Sequence, residues 1–253
     1  MCTLVLGFQV DRRWPLLVAA NRDERLDRPS EGWALRTLRT GQGDGPPVVA
    51  AAPLDLQAGG TWVGVASGGR FAGVTNHYVR FDGRPDPSRR SRGSLVPLAL
   101  GARSAAEAAR RLAGLDAGEW NPFHLVIADA AGAFLWWYDG VEQGLEALEP
   151  GLHVVTEVDR EGRGARAERI RSAWPADPSL GRLRELLARH GAPPPAGDAT
   201  CIHGDPLYGT RSSAILRLTP DLSTSELFVA EGRPCVTPHE DRSELLVALS
   251  RRT

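Results

Sequence analysis

The sequence predicts an α+β protein built from mostly antiparallel strands, and three observations support this prediction. Strand-like apolar segments dominate both ends of the chain, helix-like segments lie in the middle, and short turns join consecutive strands. Short turns suit antiparallel pairing, because parallel strands need long crossover connections. The apolar face of a sheet must be covered, so we expect the helices to pack on the sheet faces.

Two hairpins are predicted in the first half of the chain, because in each case a short polar turn separates two apolar segments. Their strands are residues 3–10 with 16–20, and residues 62–66 with 71–75. The segments 41–60 and 82–93 are rich in glycine, proline or charged residues, and we expect loops there.

The second half of the chain alternates between helices and strands. Ser104 and Glu107 form a capping-box pattern that predicts a helix over 105–114. The other predicted strands are 123–129, 133–138, 152–156, 214–218 and 226–230, and the other predicted helices are 94–102, 165–173, 179–190 and 240–250. The connector 191–197 is too short for a domain linker, so we expect a single domain over residues 1–253.

The composition argues against several classes of protein. The net charge is -1 with no polybasic segment, so we expect neither nucleic acid nor an anionic membrane as partner. No apolar run reaches the roughly 18–20 residues of a membrane span, and Gln9 and Asp11 interrupt the first apolar run. With 3 cysteines and no disulfide framework, we expect a cytoplasmic protein. The chain contains no lysine, and hence no lysine base.

Cys2 is the first candidate catalytic residue. Initiator methionine is generally removed when the next residue is small, and removal of Met1 would leave Cys2 with a free α-amine beside its thiol. An amine with a pKa of about 7.7–8.0 can accept the proton of a thiol with a pKa of about 8.5. The alternative is that Cys2 is a small apolar residue at a strand edge.

Four polar residues directly follow the second strand, in the order Asn21, Arg22, Asp23 and Glu24. If the first two strands pair antiparallel, this segment lies beside Cys2. We then expect Asp23 to hold or orient the α-amine and Arg22 to lower the pKa of the thiol. The alternative is a solvated turn with local salt bridges.

Two later segments add polar candidates. Asn76 ends a predicted strand and offers an amide N–H for an oxyanion, and Arg211 in the polar segment 208–213 is a candidate anion contact. Either position is also compatible with an ordinary turn. Cys201 and His203 are close in sequence, but two ligands without a second pair are weak evidence, and we expect no metal site.

Seven segments in this order resemble the NRDE family, also called the transport and Golgi organisation protein 2 family. They are MCTL (1–4), NRDE (21–24), GGTWVG (59–64), TN (75–76), SRG (91–93), NPF (121–123) and YGTRSS (208–213). The family is similar to N-terminal-nucleophile hydrolases of the penicillin acylase and bile-salt hydrolase type. The resemblance covers nearly the whole chain and implies a four-layered αββα sandwich.

The resemblance also assigns roles to single residues. The matching positions are Cys2 for the nucleophile, Asp23 for the supporting carboxylate, Asn76 for the oxyanion contact and Arg211 for a distal arginine. The arginine of the hydrolases' Arg-Asn-x-Asp stretch falls on Ala20, which is a departure from their pattern, and Arg22 is the arginine closest to it in sequence.

Two classes of function follow from the resemblance. The first is a hydrolase or acyltransferase that acts on an amide or thioester bond of a small substrate with an apolar acyl group and requires no cofactor. The second is non-catalytic binding and trafficking of haem, lipid or acyl-CoA in the same cleft, with His77 or His203 as an axial haem ligand. We expect a small-molecule ligand to be bound by Asn21, Glu24, Trp62, His77 and Tyr208.

Overall fold

The computed structural model describes residues 2–41, 46–77, 85–158, 160, 163–191 and 198–252. Part of the predicted loop at 82–93 and most of the connector at 191–197 lie outside these residues. Within the described residues the chain forms thirteen strands and five α-helices.

The strands are β1 (Cys2–Phe8), β2 (Leu16–Arg25), β3 (Ser30–Leu38), β4 (Val48–Asp55), β5 (Val63–Ala66), β6 (Arg70–Asn76), β7 (Phe123–Ala128), β8 (Ala133–Tyr138), β9 (Gln143–Leu148), β10 (Gly151–Val155), β11 (Tyr208–Leu218), β12 (Glu226–Ala230) and β13 (Glu240–Asp241). The helices are α1 (Leu95–Leu100), α2 (Ala105–Leu112), α3 (Ala165–Ala173), α4 (Leu180–Leu187) and α5 (Glu244–Ser250). Short 3-10 turns occur at Ser67–Gly69, Arg92–Ser94, Ala117–Glu119 and Leu222–Thr224.

These strands form two sheets. One has six strands in the order β10-β1-β2-β11-β12-β13, and the other has seven in the order β3-β4-β5-β6-β7-β8-β9. The strand pairs in both sheets are antiparallel, as the short turns predict. The seven-stranded sheet joins neighbours in chain order, whereas the six-stranded sheet inserts β11 beside β2 and brings distant parts of the chain together.

Side-chain alternation stacks the two sheets face to face. In β1, Leu4 and Leu6 point into the core between the sheets, while Val5 points to the opposite face and packs with α3 and α4. The outer face of the seven-stranded sheet packs against α1 and α2 around Trp120 and Trp136. The result is a four-layered αββα sandwich, which confirms the predicted fold class.

The helices are short and lie on the sheets. α2 begins where predicted, and the Oγ of its N-cap Ser104 accepts a hydrogen bond from the backbone N–H of Glu107 at 3.1 Å. The longest described helix, α3, has 9 residues. None of the helices in the described part of the chain is long and apolar enough to cross a membrane.

Two predicted elements are corrected by the structure, and two strands were not predicted. The segment 41–60, expected to be a loop, contains β4, and β3 and β9 were not predicted. The predicted closing helix over 240–250 divides into β13 and α5. β3 and β9 are the two edge strands of their sheet, where a strand needs less apolar sequence because one side faces solvent.

Candidate active site

Cys2 lies at the start of β1, directly opposite Arg22 of β2. The hairpin that the first two apolar segments predict is formed, and it places residues 21–24 beside Cys2. Cys2 lies two residues before Leu4, so it is on the strand face that is turned to the second sheet. Its side chain is buried, at 8 % exposure, and borders an open cavity.

This cavity has a volume of about 270 Å³ and lies where the ends of the two sheets meet. Cys2, Arg22 and Glu24 line it from the six-stranded sheet, and Trp62 and Asn76 line it from the seven-stranded sheet. The structure therefore brings most of the candidate catalytic residues to one place. Further charged residues in its wall are Arg28, Asp55, Arg89, Arg90, Arg92 and Glu231.

Ion pairs hold the cavity wall together. Arg28 donates to Asp55, with Nη2 2.5 Å from Oδ2, and its Nε lies 3.8 Å from Oε2 of Glu24. Arg22 Nη2 lies 3.9 Å from the same Glu24 oxygen. Glu24 thus lies between two guanidinium groups, and the cavity presents balanced charge rather than a strongly cationic or anionic surface.

The Cys2 thiol is held in its protonated form by burial, which raises its pKa above the ordinary value. The N-terminal ammonium and Arg22 lower the pKa of this thiol, and Asp23 raises it by its charge. The backbone N–H of Asp23 also hydrogen bonds to the thiol. Because the thiol is the resting form, a reaction at Sγ requires a base to accept its proton.

Asp23 is almost fully buried, at 1 % exposure, and burial raises its pKa to about 7. The Thr210 hydroxyl, which donates to Oδ1 at 2.5 Å, and then the N-terminal ammonium and Arg166 act to lower the pKa of this carboxyl. Arg166 is itself paired with the buried Glu157, with Nη1 2.8 Å from Oε2, and it donates to the Thr3 hydroxyl at 3.3 Å. Asp23 therefore connects the nucleophile to a buried polar network.

Asn21 is placed differently from our prediction that it binds a ligand. It precedes Arg22 by one residue, so its side chain points to the opposite face of the sheet, towards α4. There its Nδ2 donates to the carbonyl oxygens of Leu187 at 2.9 Å and Thr200 at 2.8 Å. Asn21 thus fixes the helical layer behind the nucleophile and does not line the cavity.

Four other predicted residues, Arg211, Tyr208, His77 and His203, also lie outside the lining of the cavity. Arg211 lies at a register shift in β11, where Nη1 donates to the carbonyl oxygens of Leu26 at 2.5 Å and Arg28 at 2.7 Å. The Tyr208 hydroxyl donates to the backbone carbonyl of Asp23 at 3.0 Å. Tyr208 thus contacts the NRDE segment, whereas Arg211 contacts the residues that follow it.

The His77 ring packs edge-on against His124, with ring centroids 4.3 Å apart. His203 lies beside His190, with Nε2 atoms 2.9 Å apart. Neither histidine is part of the cavity lining, so the predicted axial haem ligands are not brought to Cys2.

Arg166, Glu157 and the hydrogen bond from Thr210 to Asp23 were not predicted from the sequence. Thr210 lies in the YGTRSS segment, which was singled out for Arg211 instead. Arg166 lies in the first turn of α3 and Glu157 follows β10, and no local pattern marks a buried ion pair. Their pairing depends on β10 lying next to β1, which only the sheet order reveals.

Two glycines form a close contact in the cavity wall. The backbone N–H of Thr61 donates to the carbonyl of Gly93 at 3.0 Å, and a Cβ added at Gly60 would lie 2.6 Å from the Gly93 carbonyl carbon and oxygen. Gly60→Ala is therefore expected to destabilise the protein by about 1–3 kcal/mol, since the backbone must move to admit the methyl group. Urea unfolding monitored by tryptophan fluorescence measures this.

Gly181→Ala is the matched control, because a Cβ there meets nothing within 4 Å and the residue lies in α4. Replacing a helical glycine by alanine stabilises by up to about 1 kcal/mol. Equal effects of the two substitutions would contradict the steric argument.

A family model described as Transport and Golgi organisation 2 matches residues 1–173 of this chain. The human Transport and Golgi organization protein 2 homolog is 26% identical over 261 aligned residues, which cover 87% of this chain and 90% of that protein. The mouse Transport and Golgi organization 2 homolog is 29% identical over 138 residues, covering 51% of this chain and 45% of that protein.

Two solved structures have a similar fold. One is a Caenorhabditis elegans N-acylethanolamine-hydrolyzing acid amidase ortholog, with a TM-score of 0.50 and 11% identity, covering 85% of this chain and 92% of that one. The other is the C2A mutant of conjugated bile acid hydrolase from Clostridium perfringens, with a TM-score of 0.53 and 8% identity, covering 96% and 93%. At this identity the likeness shows a shared N-terminal-nucleophile hydrolase fold.

Proposed function

Because this chain belongs to the Transport and Golgi organisation 2 family and has an N-terminal-nucleophile hydrolase fold, we propose that it is a cysteine hydrolase or acyltransferase. Its substrate would be a small molecule with an apolar acyl group in an amide or thioester bond. The observation that carries the proposal is the position of Cys2, at the start of β1 and at the wall of the cavity.

The chemistry begins with removal of Met1, which leaves a primary amine on Cys2. Burial keeps the thiol protonated by raising its pKa, so the neutral α-amine takes the thiol proton as Sγ attacks the carbonyl carbon. The C–N or C–S bond then breaks, and the leaving amine or thiol takes that proton. The acyl group is left as a thioester on Cys2, and attack by water or by an acceptor releases it.

The surrounding residues support this sequence of steps. Asp23 follows Arg22, the register partner of Cys2, and its backbone N–H hydrogen bonds to the Cys2 thiol, so its carboxylate is the proposed group that orients the α-amine of Cys2. Arg22 lies opposite Cys2 and lowers the pKa of the thiol. Asn76 lines the same cavity, and its side-chain amide is the proposed donor to the oxyanion.

Arg22 also bears on the departure at Ala20. The two residues are two positions apart in β2, so their side chains share the face that carries Cys2. Ala20 is fully buried between the sheets beside Leu4, where its register partner in β1 lies. In this chain the cation on that face is Arg22, which lies next to Cys2 and lines the cavity. The side chain of Ala20 packs in the core instead.

The cavity suggests the class of substrate. Trp62, Leu54 and Pro53 give it an apolar side, and arginines give it a polar side. A volume of about 270 Å³ is below the range of sites that enclose drug-sized ligands. We therefore propose that the cavity takes a short acyl group, with the polar end of the substrate facing the charged residues of the wall.

Intact mass spectrometry combined with a panel of chromogenic amides and acyl thioesters tests the proposal. Wild-type protein should have lost Met1 and should gain the mass of one acyl group during turnover. Cys2→Ala and Cys2→Ser should show neither the adduct nor turnover, while keeping the wild-type unfolding temperature.

Retention of Met1 on the purified protein would refute the proposed base. Saturable binding of haem or acyl-CoA that Cys2→Ala leaves unchanged, without any turnover, would favour the second function, a carrier for such ligands.

A further inference from the structure

A second cluster of reactive side chains lies outside the cavity. Ring nitrogens of His190 and His203 and the Sγ of Cys235 all lie within 4.8 Å of one another, and the two histidine Nε2 atoms are 2.9 Å apart. The Sγ of Cys201 lies 3.6 Å from that of Cys235. Two histidines and two cysteines, residue types that bind zinc, thus lie close together. His190 and Cys235 are 45 positions apart in the sequence (235 − 190).

We propose that these four residues form a structural zinc site. Zinc prefers a tetrahedron of nitrogen and sulfur ligands at about 2.0–2.1 Å and 2.3 Å, which sets ligand separations of roughly 3.3 Å for two nitrogens and 3.8 Å for two sulfurs. The observed separations of 2.9 and 3.6 Å are within a few tenths of an ångström of these values. Cys201 is the proposed fourth ligand, on the strength of its 3.6 Å contact with the Sγ of Cys235.

The charge of the set also suits zinc. Zinc binding displaces the thiol protons of Cys201 and Cys235 to solvent, so two thiolates and two neutral imidazoles give a neutral complex. The two histidines are exposed, Cys235 is half-buried and Cys201 is buried. Metal and chelators can therefore reach the site from the surface.

The zinc site would fix the segment 201–203, which contacts the hydrogen-bond partner of Asp23. The backbone N–H of Ile202, between two of the ligands, donates to the Thr210 hydroxyl at 2.8 Å, and that hydroxyl donates to Asp23. The backbone N–H of Cys201 donates to the carbonyl of Arg189, next to His190, at 2.9 Å. A metal bound here would thus help to hold Thr210, whose hydroxyl donates to the Asp23 carboxyl, in place.

The proposal departs from our sequence-based expectation of no metal. Cys201 and His203 alone gave weak evidence, because the second pair comes from the end of α4 and from the turn after β12. A disulfide between Cys201 and Cys235 is the competing use of the two thiols. A protein with the zinc site and one with the Cys201–Cys235 disulfide differ in mass, in metal content and in their response to chelators.

The test uses the full chain expressed with added zinc and purified without chelator. Elemental analysis should find about one zinc ion per chain, and His203→Ala and Cys235→Ser should retain less than about one tenth of that. His153→Ala is the matched control and should keep the metal, because His153 lies in β10, where its Nε2 contacts the carbonyl oxygen of Glu149. A strong chelator should lower the unfolding temperature of the wild type and of His153→Ala but not of His203→Ala.

Cobalt substitution supplies a readout of the ligands themselves. The wild type should show the thiolate-to-cobalt charge-transfer band, and Cys235→Ser should weaken it. Three results would each overturn the proposal: no bound metal after reconstitution, cobalt bound without a thiolate band, or an intact mass lower by two hydrogens that marks a Cys201–Cys235 disulfide in the freshly purified protein.

Discussion

Replacing Arg166 by methionine is expected to destabilise the protein by about 3–5 kcal/mol, because it leaves the Glu157 carboxylate buried without its cation. The two side chains are 8% and 4% exposed, and their charged atoms are 2.8 Å apart. Because methionine keeps most of the side-chain volume, the decrease in the free energy of unfolding reflects the lost charge rather than a new cavity. Chemical unfolding at neutral pH measures the free energy.

The double variant Arg166→Met with Glu157→Leu separates charge from packing. If the stranded carboxylate is the cause, removing it should recover a large part of the lost stability. Arg182→Ala breaks an exposed pair, in which Arg182 and Glu185 are 66% and 62% exposed, and it should cost less than about 1 kcal/mol. Additive losses in the double variant would show that the ion pair is not the source.

The stability of the protein is expected to fall by about 4 kcal/mol between pH 4 and pH 8 on account of Asp23 alone. Burial raises the pKa of this carboxyl from 3.8 to about 7. Between these values the unfolded chain releases the proton and the folded chain keeps it, so rising pH favours unfolding. Above pH 7 both states are ionised, and the loss is complete.

Asp23→Asn should remove this slope, since the amide oxygen can still accept from Thr210 and carries no charge. The difference between wild type and Asp23→Asn, measured by urea unfolding at several pH values, isolates the effect from other titrating groups. Asp27→Asn is the control, because its exposed carboxyl has a pKa lowered by Arg25 and contributes in the opposite direction. Parallel wild-type and Asp23→Asn curves would contradict the raised pKa.

Much of the fold could be predicted because its central strands have strong local patterns. β1, β7 and β8 are nearly continuous apolar runs, the first half of β2 is apolar, and the cap of α2 is encoded by Ser104 and Glu107. The missed strands lack such patterns for physical reasons. β3 and β9 are half-solvated edges, and β4 is rich in alanine, which has little intrinsic preference for strands.

The site could be predicted only as far as the first hairpin determines it. The pairing of Cys2 with Arg22 follows from a short turn between two apolar runs. The contacts of Arg211 and Asn21 could not be predicted, because they depend on a register shift in β11 and on the position of α4. The zinc ligands and the Glu157–Arg166 pair depend on contacts between distant segments, for which a single sequence contains no local pattern.

The alternation of side chains along β2 has a consequence for engineering. Arg22, Asp23 and Glu24 line the cavity, whereas the Asn21 side chain donates to the carbonyl oxygens of Leu187 and Thr200 on the other face of the sheet. A mutant library aimed at new substrates should therefore randomise Glu24, and should keep Asn21 together with Arg22 and Asp23, which have proposed roles in the reaction. The four-residue motif thus contains one position for changing the substrate, two for the proposed chemistry and one that fastens the fold.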